Sequence, residues 1–233
     1  MGHTRRQQQR RGVPAAPWPR SERPFPFEDP TPFDRAVLEQ RQLGHPVSYL
    51  LGVGRRCRHK MPQAFVTSML NVIDEKVVVP YSSTCWLSCP ILVEAVDRLE
   101  REGWIEKLSA RVAEDQELRR KVEALHGEII EVRRQLLPEE WRERIEREPE
   151  FAHHRYVLFK TGLAGITRAE HVKCLHAHLG DFLCRGTNPI GEIVWQELQR
   201  RGVAVHGSAA CWKRCMPTIP SEPAGPGSWR GGS

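Results

Sequence analysis

Two kinds of apolar pattern divide this chain. Between residues 46 and 88 the runs VSYLLGVGRRC, QAFVTSML and KVVVPYSSTCWL are short, apolar and partly β-branched. They predict strands, with a turn at 71–75 between the second and third. From Pro90 onward the spacing becomes helical. In PILVEAVDRLEREG, Leu92, Ala95, Val96 and Leu99 share one face, Pro90 suits the first helical position and Gly103 the stop. WIEKLSARVAED reads as a second helix. Leu118, Val122, Leu125, Ile129, Val132 and Leu136 then recur at alternating intervals of four and three. This run is short for a coiled coil, so it predicts an antiparallel helix pair within the domain, with a dimer seam as the alternative. Pro138 interrupts it and EEWRERIEREPEF continues it. Residues 151–167 read as a connector. A histidine-bearing helix is expected from Thr167 or Arg168 to about Cys184, stopped by Gly186, and a last one begins at Asn188-Pro189. Ahead of the strands, residues 29–43 predict a short helix capped by Asp29 or Thr31. Strands followed by helices define an α+β fold: a small antiparallel sheet over about 46–88, then a mainly helical half.

The two ends carry no such periodicity. Residues 1–28 predict a disordered basic arm, 29–202 a single folded domain, and 203–233 a flexible, Pro- and Gly-rich tail. The net charge of +6 follows this division: residues 1–25 carry +5, residues 201–233 carry +3, and the remainder −2. A basic arm without base-reading chemistry predicts at most weak, salt-sensitive contact with nucleic acid. No run of 18 apolar residues predicts a membrane span, and the basic start lacks the apolar stretch of a secretory signal. A cytoplasmic location is expected. GxGxxG, P-loop, HExxH and GxSxG motifs are absent.

Seven cysteines, an odd number without an export signal, point to free thiols or metal ligands rather than a disulfide framework. The stretch HVKCLHAH concentrates three histidines and a cysteine. On a helix starting near residue 168, His171, Cys174 and His178 form one row, which Asp181 extends, and His176 points away. Imidazole, thiolate and carboxylate all suit zinc or iron. The same row also fits a half-buried face on which Cys174 packs as a small apolar group. Cys89 precedes Pro90 at a helix start, where free amides and the helix dipole favour a thiolate. Cys57 lies among cations in GRRCRHK, which favours a thiolate too. The pair Cys85 and Cys89 is a weak signal, and the pair Cys211 and Cys215, near the C-terminus, is expected to have no defined role, with an accessory metal or redox pair as the alternative.

The order RRC, CP at a helix start, LExxG, AEDxELxxxxxxxH, VKCLHAH and NPIG resembles the bacterial family called domain of unknown function 501, over roughly residues 34–198. The resemblance implies no established activity. Its pattern marks Cys57, Pro62, Cys89, Pro90, Lys173, Cys174, His176, Asn188, Pro189 and Gly191, and leaves out Cys85, Cys184, Cys211 and Cys215. It favours His176 where the helical row favours His171 and His178. The two agree if Cys174 opens the helix or lies at a distortion in it; otherwise His176 serves a different partner. The resulting expectation is a cytosolic metal-binding protein with Cys57, Cys89, Cys174 and His176 in one cluster. A closed set would suit zinc, and three thiolates with one open position an iron–sulfur cluster. Two alternatives stand beside it. One is a metal-free scaffold docking through the charged helical pair at 111–148. The other is an enzyme with Cys89 as nucleophile and His176 as base.

Overall fold

The structure, a computed structural model, describes residues 19–74, 77–168 and 170–218. Most of the expected basic arm, and the tail from residue 219 on, lie outside the described residues. The architecture is α+β. Helix α1 (Pro32–Val37) is capped by Thr31, whose hydroxyl accepts from the Asp34 amide while the Asp34 carboxylate accepts from the Thr31 amide. A wider helical turn continues it over Leu38–Gln42. Strands β1 (Leu50–Arg56), β2 (Pro62–Thr67) and β5 (Cys85–Leu87) form an antiparallel sheet in the order β1-β2-β5. Its register pairs Val53 with Phe65, Phe65 with Trp86, and Val66 with Cys85. Strands β3 (Leu70–Asp74) and β4 (Val77–Pro80) make a separate hairpin.

The helical half runs α2 (Pro90–Arg101), α3 (Trp104–Glu114), α4 (Gln116–Leu136), α5 (Glu139–Arg147), α6 (Ala152–Lys160), α7 (Leu175–Arg185), α8 (Pro189–Arg200) and the short α9 (Trp212–Cys215). All six heptad positions of α4 are buried, and α4 packs against α3, α6 and α8. The apolar stripe that could have formed a dimer seam is therefore filled within the chain. The expected connector at 151–167 contains α6 instead. Its helical face is blurred in sequence by the polar pair His153-His154, and it forms because Leu158 and Phe159 bury against the core. The packed chain also extends past residues 29–202 at both ends. Phe25, Phe27, Val205 and Cys215 are buried, and Glu28 pairs with Val53 on the free side of β1.

Helix α7 crosses the sheet face, and two glycines allow the approach. A Cβ at Gly180 would stand 2.9 Å from the Leu87 amide nitrogen, and one at Gly54 would stand 2.2 Å from Cys184 Sγ. A polar network ties α7 to α8. Asn188 caps α8 by accepting from the Gly191 amide at 2.8 Å, and its amide nitrogen donates to Asp181 at 3.0 Å. Asp181 is fully buried and pairs with Arg185 at 2.9 Å. His178 Nδ1 lies 3.1 Å from Asn188 Oδ1, and its Nε2 is buried without a partner. Burial drives the pKa of His178 down to about 4. Burial, reinforced by the charge of His178, does the same to His126. Both rings are therefore neutral in the folded protein at pH 6, whereas unfolded histidine titrates near 6.5. Stability is expected to be full above that value and to fall as acid protonates the unfolded chain first, with the loss continuing to about pH 4. His178 alone accounts for about 3 kcal/mol over this window. Urea unfolding at intervals from pH 7 to pH 4 checks this, and a flat profile would contradict it. His178→Gln should shallow the slope.

Candidate metal centre

Helix α7 begins later than its sequence suggests. Cys174 is extended, at φ −149° and ψ 114°, and stands as the N-cap, with Leu175 as the first helical residue. His171 is outside the helix, so the row of His171, Cys174 and His178 does not form. His178 instead turns inward to Asn188. Because Cys174 precedes the helix, His176 is free to turn toward it, as the family pattern required.

The partner of both residues comes from the C-terminal end of α2. Glu100 Oε1 accepts from the Leu175 amide at 2.7 Å and so caps α7 from another helix, with its negative charge placed at the positive end of the dipole. The same oxygen lies 3.2 Å from His176 Nδ1. His176 Nε2 faces the Val93 carbonyl at 3.3 Å and Asp97 Oδ1 at 3.3 Å. The ligand atoms of Glu100, Cys174 and His176 all lie within 4.8 Å of one another, and this is the group of three or more with that spacing among the described residues. Burial acts to lower the pKa of His176, but its hydrogen bond to Cys174 and the charge of Glu100 outweigh it and raise it to about 9. Without a metal the ring is an imidazolium between a thiol and carboxylates. Beside it opens a cleft of about 200 Å³ lined by Ser83, Cys85, Trp86, Cys174 and His176 among others.

The four residues expected in one cluster fall in two places. Cys174 and His176 sit with Glu100. Cys89 is the N-cap of α2, eleven residues from Glu100, or about 16 Å along the helix axis. Cys89 faces Cys57, which closes β1 and opens the turn to β2, with its amide donating to the Met61 carbonyl at 3.0 Å. Burial pushes the Cys89 thiol upward, while the first-turn amides of Leu92 and Ile91 act the other way. Glu100 is the residue that sequence reading missed. It belongs to the LExxG stretch, read there only as a helix end, and Asp97 stands one turn before it on the same face.

The chain matches the family described as "Protein of unknown function (DUF501)" over residues 53–196, and it belongs to that family. No curated protein and no solved structure matches it. The matched span includes Cys57, Cys89, Glu100, Cys174, His176 and the Asn188 cap. It ends before Cys211 and Cys215.

Proposed function

We propose that this protein binds a single zinc ion through Glu100, Cys174 and His176. The observation that carries this reading is the convergence of three different ligand types from α2 and the start of α7 within 4.8 Å. A carboxylate, a thiolate and an imidazole are ordinary zinc donors, and three protein ligands beside an open cleft are the pattern of a site that keeps one coordination position for water or substrate. The second imidazole nitrogen faces the Val93 carbonyl, with the Asp97 carboxylate 3.3 Å away, an outer shell of the kind that orients zinc-bound histidines. A bound zinc would take the place of the proton on His176, with Glu100, Cys174 and His176 holding it. All seven cysteines are free thiols, which agrees with a reducing, cytoplasmic setting.

The test is zinc titration of the metal-stripped full chain against a chromophoric chelator. Cys174→Ser and His176→Ala should each weaken one zinc site beyond the roughly 10–100-fold that loss of an outer partner causes. Cys85→Ser, in the same cleft but outside the ligand set, should leave it intact. Unchanged zinc affinity in both ligand variants would reject the reading.

A further inference from the structure

The second cysteine site is built from parts of the chain far apart in sequence. Cys57 comes from the β1–β2 turn, Cys89 from the start of α2, and Cys211 and Cys215 from the C-terminal segment. All four line one small, partly open pocket with Met61, Pro90 and Trp212. Cys211 is the N-cap of α9 and Cys215 its last residue, so the i, i+4 spacing puts both sulfurs on one helix face. Placed beside Cys57 and Cys89, this CxxxC pair could act as the accessory metal pair that its spacing also allows.

The C-terminal segment is fixed there by specific bonds. The Arg58 amide donates to the His206 carbonyl at 3.0 Å, and Gln63 Nε2 donates to the Val205 carbonyl at 2.7 Å. His59 Nε2 lies 2.7 Å from the Ser208 carbonyl oxygen. Gly207, at φ +99°, makes the turn, and a side chain there would meet Cys211 Sγ at 3.2 Å. Gln42 Nε2 reaches Cys215 Sγ at 3.4 Å from the end of the first helical segment. Cationic side chains lie near the pocket: Arg214, which is paired with Glu94, lines it, and Arg58 and Lys60 belong to the turn after Cys57.

Spacing decides between the two centres that four thiolates commonly bind. Around one zinc ion, bonds of about 2.3 Å at tetrahedral angles hold the sulfurs about 3.8 Å apart. No three of these four sulfurs lie within 4.8 Å of one another. An iron–sulfur cluster bridges several irons with sulfide and takes each thiolate at a separate corner, so it wants a more open set. Four thiolates also give such a cluster net negative charge, which the arginines offset. We propose that Cys57, Cys89, Cys211 and Cys215 together ligate an iron–sulfur cluster. The cluster fastens the C-terminal segment to the β1–β2 turn and to the start of α2. It is independent of the Glu100, Cys174 and His176 site and draws on different ligands.

The experiment is anaerobic purification of the full chain, with reconstitution by ferrous iron and sulfide if the cluster is lost. Iron, acid-labile sulfide and zinc are then quantified alongside the visible absorbance. Iron and sulfide in matching, near-stoichiometric amounts are expected, and Cys211→Ser and Cys215→Ser should each lose most of both. Cys174→Ser should keep them, so failure here and failure of the zinc reading are distinguishable. Should the variants misfold, alkylation of the intact chain serves instead: these four thiols are protected from iodoacetamide and become reactive when a chelator strips the iron. Absence of iron and sulfide after reconstitution, zinc bound in their place, or full cluster content in both serine variants would overturn the proposal.

Discussion

Arg133→Met should cost this protein about 4 kcal/mol of stability, close to the whole margin of a small domain. Arg133 lies on α4 and is completely buried. One guanidinium nitrogen donates to the carbonyls of Val157 and Leu158, both at 3.2 Å, and of Thr161 at 2.5 Å. The other donates to Gly162 O at 2.6 Å and to Ser82 O. These carbonyls belong to the open C-terminal end of α6 and two loops; Gly162 O also accepts from the Gly165 amide and Val157 O from the Thr161 hydroxyl, which leaves Leu158, Thr161 and Ser82 most dependent on the guanidinium. Burial lowers the Arg133 pKa, partly offset by Asp181, but only to about 10, so the group stays charged. Methionine fills similar volume but leaves several carbonyls buried without donors, each a penalty of about 1–3 kcal/mol before relaxation. Arg133→Lys keeps the charge with fewer, differently directed donors and should fall between the two. Arg120, exposed on the same helix and paired only with Glu117, supplies the control: Arg120→Ala should change stability by less than about 0.5 kcal/mol. Urea unfolding reads all three, and a loss under about 1 kcal/mol for Arg133→Met would mean that the carbonyls find other donors.

Gly191→Ala and Gly127→Ala should have opposite signs, although both glycines sit inside helices. A Cβ at Gly191 would stand 2.2 Å from the His178 carbonyl oxygen and 2.5 Å from Phe182 Cβ. Backbone cannot yield that distance, so α8 must move off α7. The expected loss is about 3 kcal/mol, at the upper end of overpacking costs. Because α7 opens with Cys174 and His176, the same shift should also weaken the zinc site proposed there. Gly127, exposed on α4, has nothing within 4 Å of its would-be Cβ. Alanine there removes backbone entropy from the unfolded chain and should add about 0.5–1 kcal/mol. Thermal unfolding of the two variants beside the parent checks the pair, and matching signs would refute the packing account.

Local rules set the elements whose causes are local. Pro90 and Gly103 bound α2, Gly186 stops α7, Asn188-Pro189 starts α8, and the α4 stripe buries each residue its spacing nominated. The strand runs between 46 and 88 likewise became β1, β2, β4 and β5, whereas β3 (Leu70–Asp74) occupies residues expected as the turn. Those signals lie in the backbone preferences and side chains of adjacent residues, so they are readable one window at a time. Where the sequence rules depended on a distant partner, tertiary structure decided. Helix α7 starts at Leu175 because a carboxylate from α2 caps it there, 75 positions away. Arg133 looked like one more charge on the outer face of a heptad, and only the arrival of α6 and its open carbonyls puts it in the core. The sequence nominated Cys57, Cys89, Cys174 and His176 for one cluster, but the structure puts Cys174 and His176 beside Glu100 and the other two elsewhere. Which thiols meet depends on α2 holding its two ends apart, and on the C-terminal segment folding back over the β1–β2 turn. Neither is encoded within any one stretch of chain, because both arise from packing between stretches.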